Sequence, residues 1–431
     1  MNKYLQINKN GQLQIGGITA DSIAKDFGTP LYVMDYNRIE DVCNSFVKAM
    51  GEYGDGAIAY ASKAFSCKEI YRIVSKLGLY ADSVSIGEIY TAISAGFNPN
   101  HLIFHGNNKS FLDLEYAIKT GVGNIVVDSF TEVDDIDLIA QKSGVIQNVM
   151  VRINPGIEAH THHYIQTAKI DSKFGFSISN NEAERIISYI KTKPNIKLIG
   201  LHCHIGSQIF EKKSFVLACQ KMIEFYKYLF DKYSLSLDAL NLGGGFGIYY
   251  SEGDKILSPE NYYDYVKEVC TCLTGQIEKY KIKKPFLIFE PGRSIVGEAG
   301  VTLYTAGRIK NIPDVKDYVS VDGGMFENPR FALYQAKYTV LSANKMLDKC
   351  DKKYTISGKC CESGDVIAED VMLPKTEEGD LLAVLSTGAY NYSMASNYNR
   401  NLIPPVVLVK DKTVKYIVKP QTLDDLIRND V

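Results

Sequence analysis

Two glycine turns in the second half of the sequence are suited to binding a phosphate group. The first is Gly243-Gly244-Gly245 and the second is Pro291-Gly292. Without side chains in the way, backbone N–H groups in such turns can approach an anion closely. A dinucleotide fingerprint would need glycine at position 248, which is isoleucine, and no P-loop lysine is present. We therefore expect a phosphate site, with ligand-free tight turns as the alternative.

A lysine at the end of an apolar segment adds a nucleophile. Lys63 lies in Ala59-Tyr60-Ala61-Ser62-Lys63-Ala64-Phe65. A water-poor position would favour its neutral, nucleophilic amine. An amine beside a phosphate site is what pyridoxal 5'-phosphate requires, because the aldehyde of this cofactor bonds covalently to a lysine. A surface lysine with its stem on apolar neighbours is the alternative.

This cofactor also needs a carboxylate and an aromatic neighbour. Its ring accepts electrons only while the ring nitrogen is protonated, and a carboxylate beside the nitrogen ensures this. Glu290 is the candidate, with a structural ion pair as the alternative. We expect His204 to stack on the ring and Ser207 to bind the phosphate through its hydroxyl. His202 is expected to be a core histidine.

The histidines also raise the alternative of a metal site. His202 and His204 face the same side of a predicted strand, and His160, His162 and His163 form a second group. A zinc site would need a third ligand with a structural reason to be nearby, and no cysteine or histidine pair supplies one. The sequence therefore predicts no metal ion.

The candidate residues lie at the ends of short apolar runs, most of which are followed by a helical pattern. The eight runs are Ile58–Ala61, Leu79–Ser85, Leu102–His105, Ile125–Asp128, Val149–Asn154, Leu198–His204, Leu240–Leu242 and Phe286–Phe289. Eight such alternations predict a (β/α)8 barrel, with an open doubly wound sheet as the alternative. In a barrel these strand ends converge on the face that carries active sites.

Polar residues also end strands simply because loops are wet. That explanation suffices for Asp128 and His105. It does not account for a lysine in an apolar segment or for three glycines followed by phenylalanine.

The sequence pattern changes after Arg293, where β-rich runs separated by Gly and Pro turns replace the alternation of strands and helices. Leu5–Ile7 and Leu13–Ile15, around Asn10-Gly11, indicate an N-terminal hairpin. We expect residues 31–292 to form the barrel, and residues 1–30 and 293–431 to form a β-rich domain.

Composition narrows the class of protein. The 431 residues include 48 basic and 50 acidic side chains, so neither nucleic acid nor a membrane surface is expected as a partner. No apolar stretch is long enough to span a bilayer, and the first ten residues carry no secretory signal. Nine scattered cysteines without a disulfide framework favour a cytoplasmic location.

Taken together, these motifs resemble one family, the fold-type III pyridoxal-phosphate decarboxylases, which act on substrates such as ornithine, arginine, carboxynorspermidine and diaminopimelate. The matching segments are Tyr60-Ala61-Ser62-Lys63-Ala64, His202-Cys203-His204-Ile205-Gly206-Ser207-Gln208, Gly243-Gly244-Gly245, Glu290-Pro291-Gly292-Arg293 and Cys361-Glu362-Ser363. The resemblance implies an alanine-racemase-like barrel, a C-terminal β domain and a homodimer with active sites shared across its interface.

The resemblance also implies roles for individual residues. Lys63 would hold the cofactor, His204 would stack on it and Glu290 would meet its ring nitrogen. The other cofactor-binding positions would be Ser207, Gly244, Gly245, Gly292, Arg293 and Tyr390. Arg293, Arg330, Tyr334, Glu362 and Tyr390 would bind substrate. Cys361 would donate a proton and, with Glu362, would reach into the partner's site.

Further segments are similar to the diaminopimelate branch of the family. They include Asn154-Pro155-Gly156, Ser172-Lys173-Phe174-Gly175, Pro329-Arg330 and Gly388-Ala389-Tyr390. This similarity implies decarboxylation of meso-2,6-diaminopimelate to L-lysine and carbon dioxide. Such a substrate carries a second amino-carboxylate, which arginines are suited to bind. The chain departs from the family at Gln335, where glycine is usual, at Thr167-Ala168 and at 400–405.

Other functions compete with this one. The same chemistry could act on carboxynorspermidine, ornithine or a D-amino acid, and a racemase could use the same barrel. A metal-dependent hydrolase would depend on His202 and His204. A non-catalytic regulatory protein would not require Lys63, Glu290 and Cys361 together.

Overall fold

The computed structural model describes residues 3–157 and 172–431. The histidines at 160, 162 and 163, and Thr167-Ala168, lie outside these residues. The chain divides into two compact units. The barrel unit comprises Val42–Gly247 and Leu257–Ser294, and the sheet unit comprises Met1–Asp41, Ile248–Ile256 and Ile295–Val431.

The chain begins with short strands and two helices. In chain order these are β1 (Leu5–Ile7), β2 (Leu13–Ile15), β3 (Ile18–Thr19), α1 (Ala20–Phe27), β4 (Leu31–Asp35) and α2 (Tyr36–Tyr53). The alternating region follows, with β5 (Gly56–Ala61), α3 (Lys68–Lys76), β6 (Tyr80–Ser83), α4 (Ile86–Ser94), β7 (Leu102–Phe104), α5 (Phe111–Thr120), β8 (Asn124–Val127), α6 (Phe130–Ser143), β9 (Gln147–Asn154), β10 (Phe176–Ser177), α7 (Glu182–Ile190), β11 (Ile196–His202), α8 (Lys212–Tyr233), β12 (Ala239–Asn241), α9 (Pro259–Tyr280), β13 (Phe286–Phe289) and α10 (Arg293–Val296).

The remaining elements are mostly strands. They are β14 (Gly300–Ile312), β15 (Lys316–Val321), α11 (Arg330–Tyr334), β16 (Val340–Ser342), β17 (Lys352–Ser357), β18 (Val366–Leu373), β19 (Leu381–Leu385), α12 (Asn391–Met394), β20 (Val406–Lys410), β21 (Thr413–Val418) and α13 (Leu423–Ile427).

Eight parallel strands close into a barrel. Their order is β5-β6-β7-β8-β9-β11-β12-β13, and β13 pairs with β5 to complete the ring. All eight predicted runs are therefore strands, and the (β/α)8 prediction is confirmed, whereas the open-sheet alternative is wrong. The barrel interior is filled by small and branched apolar side chains, as expected for a packed barrel, namely Ala59, Ile103, Val126, Met150, Ala239 and Ile288.

Serines start several of the crossover helices directly after the strands. Ser85 and Ser129 cap α4 and α6 by accepting backbone N–H groups, and Ser110 forms a capping box with Asp113 at α5. Such caps satisfy N–H groups that the first helical turn leaves unpaired. They fix where each helix begins, and with it the short loop at the carboxyl end of the preceding strand.

The sheet unit is built around β14. The strand order is β18-β17-β15-β14-β4-β20-β21, and β19 pairs with both β14 and β16. The predicted hairpin is present as β1 and β2, whose register joins Leu5 to Ile15. Because β4 pairs with β14 and β20, residues 31–41 belong to the sheet unit, whereas the sequence analysis expects the barrel to begin at residue 31. No helix of the described residues is long and apolar enough to cross a membrane.

Candidate active site

Glu290 lies at the end of β13, where several strand ends converge. Its carboxylate is buried and is contacted by residues from three other strands. His105 Nε2 lies 2.8 Å from Oε1 and His202 Nε2 lies 3.2 Å from Oε2. Asn241 donates its amide Nδ2 to Oε1 at 2.7 Å. An ionised carboxylate only accepts hydrogen bonds, so both imidazoles donate through Nε2.

The electrostatics of this group favour the ionised carboxylate. Burial by itself would raise the pKa of Glu290, but His105 and His202 hold that pKa well below its usual value. Burial lowers the pKa of His202 to about 4, against the opposing effect of Glu290. His202 is therefore neutral at pH 7 with its proton on Nε2, and its Nδ1 has no hydrogen-bond partner among the described residues.

His105 is a site residue that the sequence analysis missed. The sequence alone predicts a solvated loop end at this position, but the residue is 5% exposed and hydrogen-bonded to Glu290. The signal was its place at the carboxyl end of a barrel strand. His202 is buried, as expected, and its partner is Glu290. The three ligand atoms of His105, His202 and Glu290 lie within 4.8 Å of one another, a spacing compatible with a metal ion as well as with the observed hydrogen bonds.

Lys63 follows β5 in a short 3-10 turn, Ser62–Ala64. The expectation of a water-poor environment is wrong for the side chain in this structure, because Lys63 is exposed while Ser62 and Ala64 are buried. The turn carries the side chain past the end of the strand. No carboxylate of the described residues lies within ion-pair distance of its amine, although the charge of Lys63 acts on Asp82 and His204.

The Lys63 turn packs against the second glycine turn. Ala61 donates its N–H to the Pro291 carbonyl at 3.0 Å. A Cβ added at Gly292 would lie 2.7 Å from the Cβ of Ala61 and 2.8 Å from its carbonyl oxygen. Glycine is therefore required for this close approach. The segment that carries Lys63 and the Pro291-Gly292 turn are therefore neighbours.

The first glycine turn packs against the loop after β11. Ile209 donates its N–H to the Gly245 carbonyl at 2.9 Å, and Gly245 has a φ of 110°. A Cβ added at Gly244 would lie 2.0 Å from the Glu290 carbonyl oxygen. Gly244 also donates its N–H to His204 Nδ1 at 3.3 Å. The three-glycine turn thus touches both the carboxylate segment and the histidine predicted to stack on the ring.

His204 and Ser207 lie beside these turns. Burial, with Lys63 and Arg152 nearby, lowers the pKa of His204 well below its usual value, so its ring is neutral. Arg293, which begins α10, donates from Nη2 to Ser207 Oγ at 2.9 Å. A hydroxyl and a guanidinium are therefore adjacent, and this donor set suits a phosphate group.

The remaining predicted residues lie in the sheet unit. Arg330 is 8% exposed, and its guanidinium carbon lies 5.6 Å from the centroid of the Tyr390 ring. Tyr390 has a φ of 71°, which is a strained conformation for a bulky side chain. Tyr334 is exposed. Cys361 and Glu362, which are consecutive in the sequence, are also exposed.

The loop that carries Cys361 is held by several hydrogen bonds. Cys361 donates its N–H to Asn399 Oδ1 at 3.0 Å, and Tyr398 donates its hydroxyl to Glu362 Oε2 at 3.3 Å. Asp365, which is buried, accepts the Cys360 N–H at 2.6 Å. The two exposed side chains are thus presented by an anchored segment.

Comparisons with known proteins show which family this chain is similar to. Residues 36–297 match the family model described as pyridoxal-dependent decarboxylase, pyridoxal binding domain. The chain is 46% identical to the diaminopimelate decarboxylase of Bacillus subtilis (strain 168) over 425 residues, covering 98% of this chain and 96% of the relative. It is 44% identical to the diaminopimelate decarboxylase of Staphylococcus aureus (strain COL), covering 99% of each.

A solved structure extends the agreement to the fold. The diaminopimelate decarboxylase of M. jannaschii in co-complex with L-lysine matches with a TM-score of 0.91 and 34% identity. The match covers 100% of this chain and 98% of that one. The chain therefore belongs to the diaminopimelate decarboxylases, a family of pyridoxal-phosphate-dependent carboxy-lyases.

Proposed function

We propose that Glu290 and Lys63 bind opposite ends of the cofactor, at the ring nitrogen and the aldehyde, in the decarboxylation of meso-2,6-diaminopimelate to L-lysine and carbon dioxide. The supporting observation is the environment of Glu290. Its carboxylate is buried and ionised, yet no lysine or arginine of the described residues lies within 4.0 Å of it. A buried carboxylate is stabilised by a cation placed beside it. A protonated ring nitrogen is a cation of the right kind for this position.

The cofactor supplies one function that side chains lack. When bound, its protonated ring accepts the electron pair left behind by the departing carboxyl group. Glu290 would hold the proton at the ring nitrogen, and His105, His202 and Asn241 orient its carboxylate. The neutral ring of His204 would cover a face of the cofactor without adding a competing charge.

The glycine turns and their neighbours would hold the phosphate. Gly244, Gly245 and Gly292 allow close approach of the backbone, and Ser207 and Arg293 add a hydroxyl and a positive charge. Lys63 would bind the aldehyde, because its amine is exposed and has no carboxylate partner among the described residues. That amine is thus accessible for covalent attachment and for exchange with the substrate amine.

Arg330 would bind the carboxylate at the non-reacting end of the substrate. The guanidinium is buried, and no carboxylate of the described residues forms an ion pair with it. Tyr390 contacts the same guanidinium and would line this subsite. Arg293, Tyr334 and Glu362 would complete substrate recognition, with Glu362 accepting hydrogen bonds from the distal ammonium group.

Cys361 would deliver the proton that replaces the lost carboxyl group. It is exposed beside Glu362, and we propose that both act in the active site of a partner subunit within a homodimer. The nine cysteines form no disulfide, which supports our inference of a cytoplasmic location.

Replacement of Lys63 tests the cofactor assignment. Lys63→Ala should abolish lysine formation and the visible absorption band of the protein-bound cofactor, because the covalent link is lost. Lys68→Ala removes another exposed lysine, at the start of α3, and should retain both. Persistence of the band in Lys63→Ala would overturn the assignment. Release of carbon dioxide from carboxynorspermidine, ornithine or D-amino acids, and not from meso-diaminopimelate, would overturn the substrate assignment.

A further inference from the structure

A buried chain of hydrogen bonds links Arg330 to the carboxyl group of Glu327 in the sheet unit. Arg330 Nη1 donates to the Tyr338 hydroxyl at 2.6 Å, and Tyr338 donates to Asn391 Oδ1 at 3.2 Å. Asn391 Nδ2 donates to Asn328 Oδ1 at 3.1 Å. The chain then continues from Asn328 Nδ2 to the Tyr304 hydroxyl at 3.5 Å, and from that hydroxyl to Glu327 Oε1 at 2.6 Å.

Every bond in this chain runs in the same direction. The guanidinium can only donate and Oε1 of Glu327 accepts, so each intermediate group accepts from one neighbour and donates to the next. Glu327, Asn328, Tyr304 and Asn391 are 0% exposed. Hydrogen bonds aligned in a low-dielectric interior polarise one another. The orientation of Arg330 is therefore coupled to a group five hydrogen bonds away.

Aromatic rings surround the charged end of the chain. The guanidinium carbon of Arg330 lies 5.2 Å from the ring centroid of Tyr250 and 5.8 Å from that of Tyr338. Tyr250 also accepts a hydrogen bond from Nη1 at 3.2 Å. The rings favour the cation without neutralising it. Both hydrogen bonds use Nη1, and Nη2 donates to no tyrosine hydroxyl of the described residues.

We propose that Glu327 is a positioning residue for substrate recognition. It fixes, through Tyr304, Asn328, Asn391 and Tyr338, the direction in which Arg330 presents its fork to the carboxylate of the non-reacting end of the substrate. This inference rests on the role proposed above for Arg330. A bidentate grip on a carboxylate depends on the plane of the guanidinium, so loss of the distant anchor weakens the grip without touching the ligand.

Ligand binding to the cofactor-loaded protein separates this role from a merely structural one. L-lysine keeps the amino-carboxylate of the non-reacting end, whereas cadaverine lacks a carboxylate. Tyr304→Phe removes the hydroxyl that joins Glu327 to Asn328 and should weaken L-lysine binding about threefold to tenfold. Cadaverine binding should not change. Glu327→Leu should weaken L-lysine binding to the same extent. Glu327→Gln retains an acceptor for Tyr304 and should bind L-lysine with wild-type affinity.

A matched control lies in the same unit. Tyr354 is buried and accepts the Thr376 N–H through its hydroxyl, but it is not part of the chain of hydrogen bonds between Arg330 and Glu327. Tyr354→Phe should leave the L-lysine affinity unchanged. Equal weakening of L-lysine and cadaverine binding by Tyr304→Phe would indicate general damage and overturn the proposal, as would unchanged affinity for both.

Arg330→Lys distinguishes failure of this inference from failure of the proposed role of Arg330. If Arg330→Lys leaves L-lysine binding unchanged, the role of Arg330 itself is wrong. If it weakens binding while Tyr304→Phe does not, only the positioning role of Glu327 is wrong. If both proposed roles are correct, Tyr304→Phe should cause no further loss of L-lysine affinity in the Arg330→Lys background. The reason is that the chain of hydrogen bonds acts through the guanidinium of Arg330. Independent, multiplying losses would contradict the positioning role.

Discussion

The ionisation of Glu290 depends on the three side chains that contact its carboxylate. His105 and His202 lower its pKa through their electrostatic effect and their hydrogen bonds, and Asn241 donates a further hydrogen bond. Hydrogen bonds to an anion are roughly twice as strong as those between neutral groups. Removing one of these donors should therefore raise the pKa of Glu290 and weaken its proposed interaction with the ring nitrogen of the cofactor.

His105 offers the cleanest test of this arrangement. His105→Leu should lower kcat/KM about tenfold to a hundredfold, because a charge-assisted hydrogen bond is lost from a buried site. The acidic limb of the kcat/KM profile should also move to higher pH, since Glu290 would become easier to protonate. His105→Gln, which carries an amide donor, should recover much of the loss.

The control for His105 is a histidine elsewhere in the barrel unit. His101 stacks on Tyr80, with ring centroids 4.1 Å apart, and His101→Gln should leave activity and pH profile unchanged. A His105→Leu variant with the wild-type pH profile and cofactor affinity would show that the contact with Glu290 is only structural.

At the scale of elements, the barrel strands were predictable because both of their faces are buried. Such strands read as continuous apolar runs, and all eight were visible in the sequence. The partner of His105 was not visible, because Glu290 lies 185 positions further along the chain and only barrel closure brings the two together. The same holds for the chain of bonds behind Arg330, whose members come from separate segments between 304 and 391.

The helix α11 ends at a departure from the family pattern. Gln335, where the family usually has glycine, adopts a φ of 53° at the C-terminus of this helix. A side chain in the left-handed region costs about 1 kcal/mol, and glycine avoids that cost at some expense in chain entropy. Gln335→Gly should therefore raise the free energy of unfolding by about 0.5 kcal/mol, measured by urea denaturation.

Glycine in a regular helix should act in the opposite direction. Ser188 is exposed inside α7, and Ser188→Gly should lower the free energy of unfolding by about 0.5 kcal/mol. If Gln335→Gly destabilises the protein to the same extent, the left-handed conformation at position 335 is not strained.

At the scale of the whole molecule, buried Glu327 should make stability depend on pH. Burial raises its pKa from 4.5 to about 8, against the lowering effect of the Tyr304 and Tyr32 hydrogen bonds, and Asp322 raises it further. Between these pH values the folded protein holds a proton that the unfolded chain has released. Stability from this group is therefore fully present below pH 4.5 and is lost as pH rises through 8.

Comparison with Glu327→Gln isolates that dependence. The difference in unfolding free energy between wild type and variant should move in favour of the variant as pH rises from 4.5 to 8. Glu252→Gln, at an exposed position of the sheet unit, should show no such trend. A pH-independent difference for Glu327→Gln would mean that Glu327 is ionised in the folded protein throughout this range.

The division of the candidate residues between two units leads to a test of the proposed dimer. Lys63 belongs to the barrel unit and Cys361 to the sheet unit. If each active site combines the barrel unit of one subunit with Cys361 of the partner, a mixed dimer of Lys63→Ala and Cys361→Ala chains contains one intact site and one with both lesions. Random mixing makes half of the dimers mixed, so two inactive proteins should together recover about a quarter of wild-type activity. The measurement is lysine formation by the unfractionated co-expressed variants, and the mixed dimer purified through two different tags should show about half of wild-type activity. Sites built within a single chain would each keep one lesion, and the mixture would then stay as inactive as its components.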